Sequence, residues 1–83
     1  MEKGTVLALN PLNLRMVVFV DGDSCAVFEL GAPYDVQLGH RLRGNLESEL
    51  CFALENITTA EMLDVVWVGH YANAEEARRA IGL

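Results

Sequence analysis

Imidazole nitrogens and thiolates do most of the metal binding and nucleophilic work of small proteins, so His40, His70, Cys25 and Cys51 are the first residues to weigh. The cysteines stand 26 residues apart, each inside an apolar run. They form no Cys-x-x-Cys pair and carry no zinc-ligand spacing, so they read as two buried, reduced thiols. His40 falls in an expected turn and His70 in an apolar strand. A metal centre on either needs a carboxylate brought to it by the fold, and nothing in the spacing demands one. No metal and no cofactor is expected.

The acids and serine at Asp21-Gly22-Asp23-Ser24 suggest calcium or a nucleophile only in passing. An EF-hand loop needs a longer alternation of oxygen ligands ending in Glu, and a nucleophile elbow needs Gly-x-Ser-x-Gly. Neither is present, and turn chemistry accounts for the stretch. There is no glycine-rich phosphate loop. No catalytic residue is assigned, and the chain reads as a non-enzyme.

Arg15, Arg41 and Arg43 are the best basic constellation. Arg41 and Arg43 flank Leu42 on one strand face, and with Phe19, Tyr34 or Trp67 they could line a groove for single-stranded nucleic acid. The competing reading is a solvated face on which Glu29, Glu47 or Glu49 pair with them. Twelve acids stand against six bases, a net charge of −6. Nucleic-acid binders draw most of their affinity from phosphate neutralisation, so the ion-paired face is favoured.

The elements that must position these residues are strands. Lys3 to Leu9 is a first strand, stopped at Asn10-Pro11. Arg15 to Val20 and Cys25 to Leu30 form a hairpin. Met16, Val18 and Val20 share one face, Arg15, Val17 and Phe19 the other; Ala26, Phe28 and Leu30 lie opposite Cys25 and Val27. Of two possible turns, Gly22-Asp23 is preferred to Asp21-Gly22, because it sets Val20 against Cys25 and Val17 against Phe28. Both hairpin faces are then apolar, which an antiparallel sheet open to water does not tolerate, so something must cover the second.

Further strands are expected from Tyr34 to Leu38, from Arg41 through Leu46 with a bend at Gly44, and over Leu50 to Glu55 with Leu50, Phe52 and Leu54 on one face. Asn56 to Thr59 is turn-like, and Ala60 to Met62 is too short to assign as a helical turn. Asp64 to Tyr71 is the last strand, with Val65, Trp67, Gly69 and Tyr71 on one side. A helix follows over 73–82, capped by Asn73 with Glu76 in capping-box spacing and stopped by Gly82. About nine residues do not hold a helix alone, so it must dock, and the spare hairpin face is its natural seat. The expected fold is mainly β: one domain, residues 1–83, forming a small five- to six-stranded antiparallel β-barrel, OB-like or alternatively SH3-like, with one C-terminal α-helix.

The N-terminal third resembles the opening of cold-shock and S1-type OB domains, through Lys3-Gly4-Thr5-Val6, Asn10-Pro11 and Val27-Phe28. Tyr34-Asp35-Val36 through Leu38-Gly39 to Gly44 similarly resembles the strand–Gly–strand segment of small barrels. The whole chain resembles small bacterial proteins with such barrels. The cold-shock resemblance implies an OB-type sheet whose second and third strands carry stacking aromatics. Here the second strand reads Arg15-Met16-Val17-Val18-Phe19-Val20, without the Gly-Phe-Gly-Phe run.

Composition places the chain among globular domains, at 52% hydrophobic and 22% charged residues. No apolar run reaches the roughly 18 residues of a membrane span, and the first residues lack a signal peptide's apolar core, so a cytoplasmic protein is expected. The function expected is binding without catalysis, through association with a protein partner or with a second copy of itself as a homodimer. Val17, Phe19, Phe28, Trp67 and Tyr71 are the interface candidates, because the apolar faces exceed what one short helix covers. The alternative is weak single-stranded nucleic-acid binding by Arg15, Arg41, Arg43 and Tyr34. A third reading is a small-molecule pocket in the barrel mouth.

Overall fold

The period-two apolar pattern of the first half becomes an antiparallel meander in the computed structural model, which describes residues 1–83. Strand β1 (Glu2–Asn10) pairs with β2 (Arg15–Val20), and β2 with β3 (Cys25–Leu30). A second meander follows from β4 (Arg41–Gly44), β5 (Ala53–Asn56) and β6 (Glu61–Tyr71). The meanders join at both sides, β3 to β6 and β1 to β4, giving a closed barrel of order β1-β2-β3-β6-β5-β4. All neighbours are antiparallel. Helix α1 (Ala74–Ala80) ends the chain. The mainly β barrel with one C-terminal helix is as expected, and its architecture is compatible with an OB-like barrel. No helix is long and apolar enough to cross a membrane.

The hairpin register differs from both turns considered above. Val20 N–H donates to Ser24 O at 2.9 Å and Asp23 N–H to Val20 O at 3.0 Å, so Asp21, Gly22 and Asp23 all lie in the loop. Gly22 takes φ +73, a left-handed conformation cheap only for glycine. Phe19 therefore faces Cys25, and Met16 faces Phe28. Alternation within each strand survives, but the shifted register exchanges which faces lie together: Ala26, Phe28 and Leu30 join Met16, Val18 and Val20 inside the barrel, where the expected pairing had set Phe28 against Val17.

Three expectations in the second half need correction. Tyr34 to Leu38 forms no strand: Tyr34 N–H bonds Ala32 O and Val36 N–H bonds Tyr34 O, local turns that carry the chain from one meander to the next. Leu50 and Phe52 do not share an inner face with Leu54; they are 72% and 69% exposed, whereas Cys51 is buried. Ladder alternation begins only at Ala53, so the two-residue period carries no information upstream of it. Of Ala60–Met62 only Ala60 lies in a turn; Glu61 and Met62 already belong to β6, which is longer than expected.

The chain builds two hydrophobic layers. Inside the barrel Met16, Val18 and Val20 of β2 and Ala26, Phe28 and Leu30 of β3 meet Leu42, Leu46, Leu54 and Leu63. Outside it Ala8, Val17, Cys25 and Val27 pack under Ala77 and Ile81 of the helical segment. A bulge at Leu7 moves β1 between layers: Val6 faces the interior and Ala8 faces the helix. Burial of each large apolar side chain contributes about 1.5–3 kcal/mol, so the outer layer suffices to hold a seven-residue helix that would not form in isolation.

The helix ends are fastened as its sequence suggests. Asn73 Oδ1 accepts from Glu76 N–H at 2.9 Å. At the other end Leu83 N–H reaches Arg78 O and Gly82 N–H reaches Arg79 O, a Schellman closure with Gly82 at φ +88. The remaining Ile81 carbonyl accepts Asn10 Nδ2 at 2.6 Å and Asn13 Nδ2 at 3.0 Å. Asn10 and Asn13, flanking Pro11, thus latch the helix onto the end of β1. Beneath it burial pushes the Cys25 thiol pKa above its ordinary value, leaving it protonated and unreactive. Asn10→Ala, made in a Cys51→Ser background, is expected to speed labelling of Cys25 by a thiol reagent at least about fivefold, the ratio that follows from losing about 1 kcal/mol of latch. An unchanged rate would show that the helix is held by packing alone.

Candidate functional site

The three arginines of the basic constellation do not form a free cationic surface. Arg41 grips Asp21 with two parallel bonds, Nη1–Oδ1 at 2.8 Å and Nη2–Oδ2 at 2.6 Å, and also donates to Thr5 Oγ1. The Arg41 hydrogen bond holds the Asp21 carboxyl below the ordinary carboxylate range, and Asp21 raises Arg41 in return. Arg43 is clasped by Glu55, and Arg15 by Glu29 at 3.2 Å. Arg15 also stands about 13 Å from Phe19 along β2, so it shares no groove with Arg41 and Arg43. Tyr34 lies elsewhere, its hydroxyl accepting the Asp64 N–H at 3.2 Å. Of the rings named, only Phe19 comes near an arginine, flanking Thr5 on the side opposite Arg41.

The apolar candidates separate as well. Val17 and Phe28 are completely buried, Val17 under the helix and Phe28 in the barrel, so neither reaches a partner while the chain is folded. Their strands are covered twice, and that is why an outer-surface role fails. Phe19 is partly exposed on the outer wall beside Thr5 and Cys25. Trp67 and Tyr71, expected on one face, lie on opposite ones. Phe28 pairs with Trp67 and Val27 with Gly69, leaving Val68 as an inserted residue that reverses the alternation. Trp67 packs against the barrel core and Tyr71 against the helix layer. The Trp67 Nε1–H is buried without an acceptor.

An open apolar strand face lies on the second meander. Met62, Asp64 and Val66 point outward from β6, and Met62 and Val66 are 61% and 56% exposed. Ala53 stands beside Asp64, Glu55 beside Met62 and Glu29 beside Val66. The exposed Phe52 joins here, its carbonyl accepting the Val65 N–H at 3.0 Å. The result is an apolar outer face with carboxylates among its side chains. Phe52 was legible only as an inward strand residue, and no local signal marks it as exposed.

Two concave or clustered features lie at the barrel ends. Leu9, Leu14, Leu30, Pro33, Tyr34 and Val36 line most of an open, mainly apolar cavity of about 210 Å³, under the β1–β2 turn. Near the β2–β3 loop, Asp23, Glu47 and His70 place ligand atoms within 4.8 Å of one another. His70 Nε2 lies 2.5 Å from Ser24 Oγ and 3.8 Å from Glu47 Oε2. The Glu47 carboxyl pKa is raised above its ordinary value, chiefly by the side-chain interaction of Glu47 with Asp23. His40 is instead engaged locally, with Gln37 N–H and Asn56 Nδ2 on its Nδ1 side. The sequence conceals the trio because its members come from three segments that only the barrel brings together.

Burial and exposure make opposite demands on the two phenylalanines. Phe28→Ala should cost about 3–5 kcal/mol and leave little folded protein, whereas Phe52→Ser should change stability by less than about 0.5 kcal/mol. Urea denaturation followed by far-UV circular dichroism reads both; equal losses would contradict the assignment of Phe52 to the surface. No family model, curated protein or solved structure matches this chain, so the reading of function starts from these surfaces.

Proposed function

We propose that the chain is a non-enzymatic protein-binding module whose docking surface is the outward face of β5 and β6. The observation that carries this reading is the exposure of Met62 and Val66 on the outward face of β6, with the exposed Phe52 just before β5. Large apolar side chains held in water are what an interface centre uses, and the helix that covers the first meander does not extend over them. A closed barrel has no strand edge to extend, so a partner docks on side chains rather than by adding a strand.

Charge selects the partner. Asp64 stands between Met62 and Val66 on the outward face of β6, and Glu49 lies just upstream of Phe52. Of the basic side chains only Lys3 and Arg78 lie outside ion pairs. The complementary partner is a polypeptide segment with apolar anchors flanked by Lys or Arg. A second copy presents the same carboxylates and is a poorer occupant, favoured only when salt screens them. The resemblance to cold-shock and S1-type barrels enters this proposal as to fold alone, since the matching wall here carries paired arginines. Nucleic-acid binding is correspondingly less supported.

The sole tryptophan, Trp67, adjoins Val66 and serves as a reporter. Fluorescence titration is expected to show binding of short peptides with apolar residues between lysines. It should show none for the same peptides with glutamates, or for a single-stranded oligonucleotide. Phe52→Ser combined with Val66→Ser should weaken the basic peptide at least about tenfold. Equal binding of acidic and basic peptides, or insensitivity to the double substitution, would overturn the proposal. Oligonucleotide binding abolished by Arg43→Ala would move the function to nucleic acid.

A further inference from the structure

We propose that Asp23, Glu47 and His70 form a binding site for a divalent first-row transition-metal ion of the zinc type. This site is independent of the docking face and belongs to the barrel end at the β2–β3 loop. The β3–β6 ladder builds it: Cys25 pairs with Tyr71 and Ala26 with His70, which sets the imidazole beside the loop that ends in Asp23. Glu47 follows Leu46, whose side chain is fully buried in the barrel and so fixes where the β4–β5 connection leaves it.

The geometry suits one ion. The three ligand atoms lie within 4.8 Å of one another, and Nε2 of His70 is 3.8 Å from Glu47 Oε2. Ligands bound at about 2.0–2.2 Å around a tetrahedral ion stand about 3.3–3.6 Å apart, so a small rotation of these exposed side chains closes the set. Ser24 Oγ lies 2.5 Å from the same Nε2, so the ion takes this nitrogen by displacing the serine hydroxyl.

The electrostatics point the same way. Elsewhere Asp21, Glu29, Glu55 and Glu75 each lie against an arginine. Here two carboxylates approach each other with only an imidazole between them and no Lys or Arg in an ion pair. A third carboxylate, Glu2, is adjacent and accepts the Glu47 N–H at 3.3 Å. The missing positive charge is what a cation supplies. One imidazole nitrogen with two carboxylate oxygens is a borderline donor set, better suited to Zn²⁺ than to Mg²⁺ or Ca²⁺, which take oxygen alone. Three protein ligands leave a coordination position to water.

Isothermal titration of the full chain with ZnCl₂ at pH 7.5 tests the site. One Zn²⁺ should bind per chain, and Mg²⁺ at least about tenfold more weakly. His70→Gln and Glu47→Gln should each reduce Zn²⁺ affinity at least about tenfold while leaving the far-UV spectrum unchanged. His40→Gln and the Cys25→Ser, Cys51→Ser pair should bind as the parent chain does. No binding at millimolar Zn²⁺, binding that survives His70→Gln, binding that tracks His40 or the cysteines, or equal affinity for Mg²⁺ would overturn the assignment.

Discussion

A strand pair that is apolar on both faces has to be covered twice, and the β2–β3 hairpin imposes that condition on the whole chain. Met16, Val18, Phe28 and their neighbours take the first cover from the barrel itself, which closes when β3 meets β6 and β1 meets β4. Val17, Cys25 and Val27 take the second from the terminal helix. The two β-bulges follow from the same demand. At Leu7 and at Val68 an inserted residue turns the strand so that Ala8 and Tyr71 serve the helix layer while Val6 and Trp67 serve the barrel. Even the polar latch belongs to this arrangement, since Asn10 and Asn13 satisfy the Ile81 carbonyl that the helix leaves open.

Where the sequence period is regular, the structure was legible from it. The faces of β2 and β3, the need for a helical cover, the Asn73 cap and the Gly82 stop all read directly from side-chain type and spacing. Legibility ended wherever one residue broke the period. A three-residue loop at Asp21–Asp23 shifted the hairpin register and so exchanged which faces of β2 and β3 lie together. Val68 reversed the faces of Trp67 and Tyr71. The irregular backbone before Ala53 turned Phe52 outward, where alternation with Leu54 had implied burial. None of these has a local sequence signal, because each depends on which strand lies alongside.

The same division explains what was visible of function. For several residues named from sequence the fold supplies a partner of its own: each of Arg15, Arg41 and Arg43 a carboxylate, Val17 the helix, Phe28 the barrel. The surfaces left without a partner came from residues that no motif joins. Met62 and Val66 stand exposed on β6 beside β5, and Asp23 with Glu47 and His70 is assembled across three segments. Binding through a wall and at a barrel end is consistent with a closed sheet, which offers side chains and loop tips rather than an open edge.

The central claim is that the hairpin's outer face is sealed by the chain's own helix, so that the exposed apolar wall lies on β6 instead. Methyl resonances recorded with a soluble nitroxide test this in one experiment, since a paramagnetic probe broadens only methyls it can approach. The account predicts strong broadening for Met62 and Val66 and none for Val17 and Val27. Broadening of Val17 and Val27 to the same degree as Val66 would contradict it.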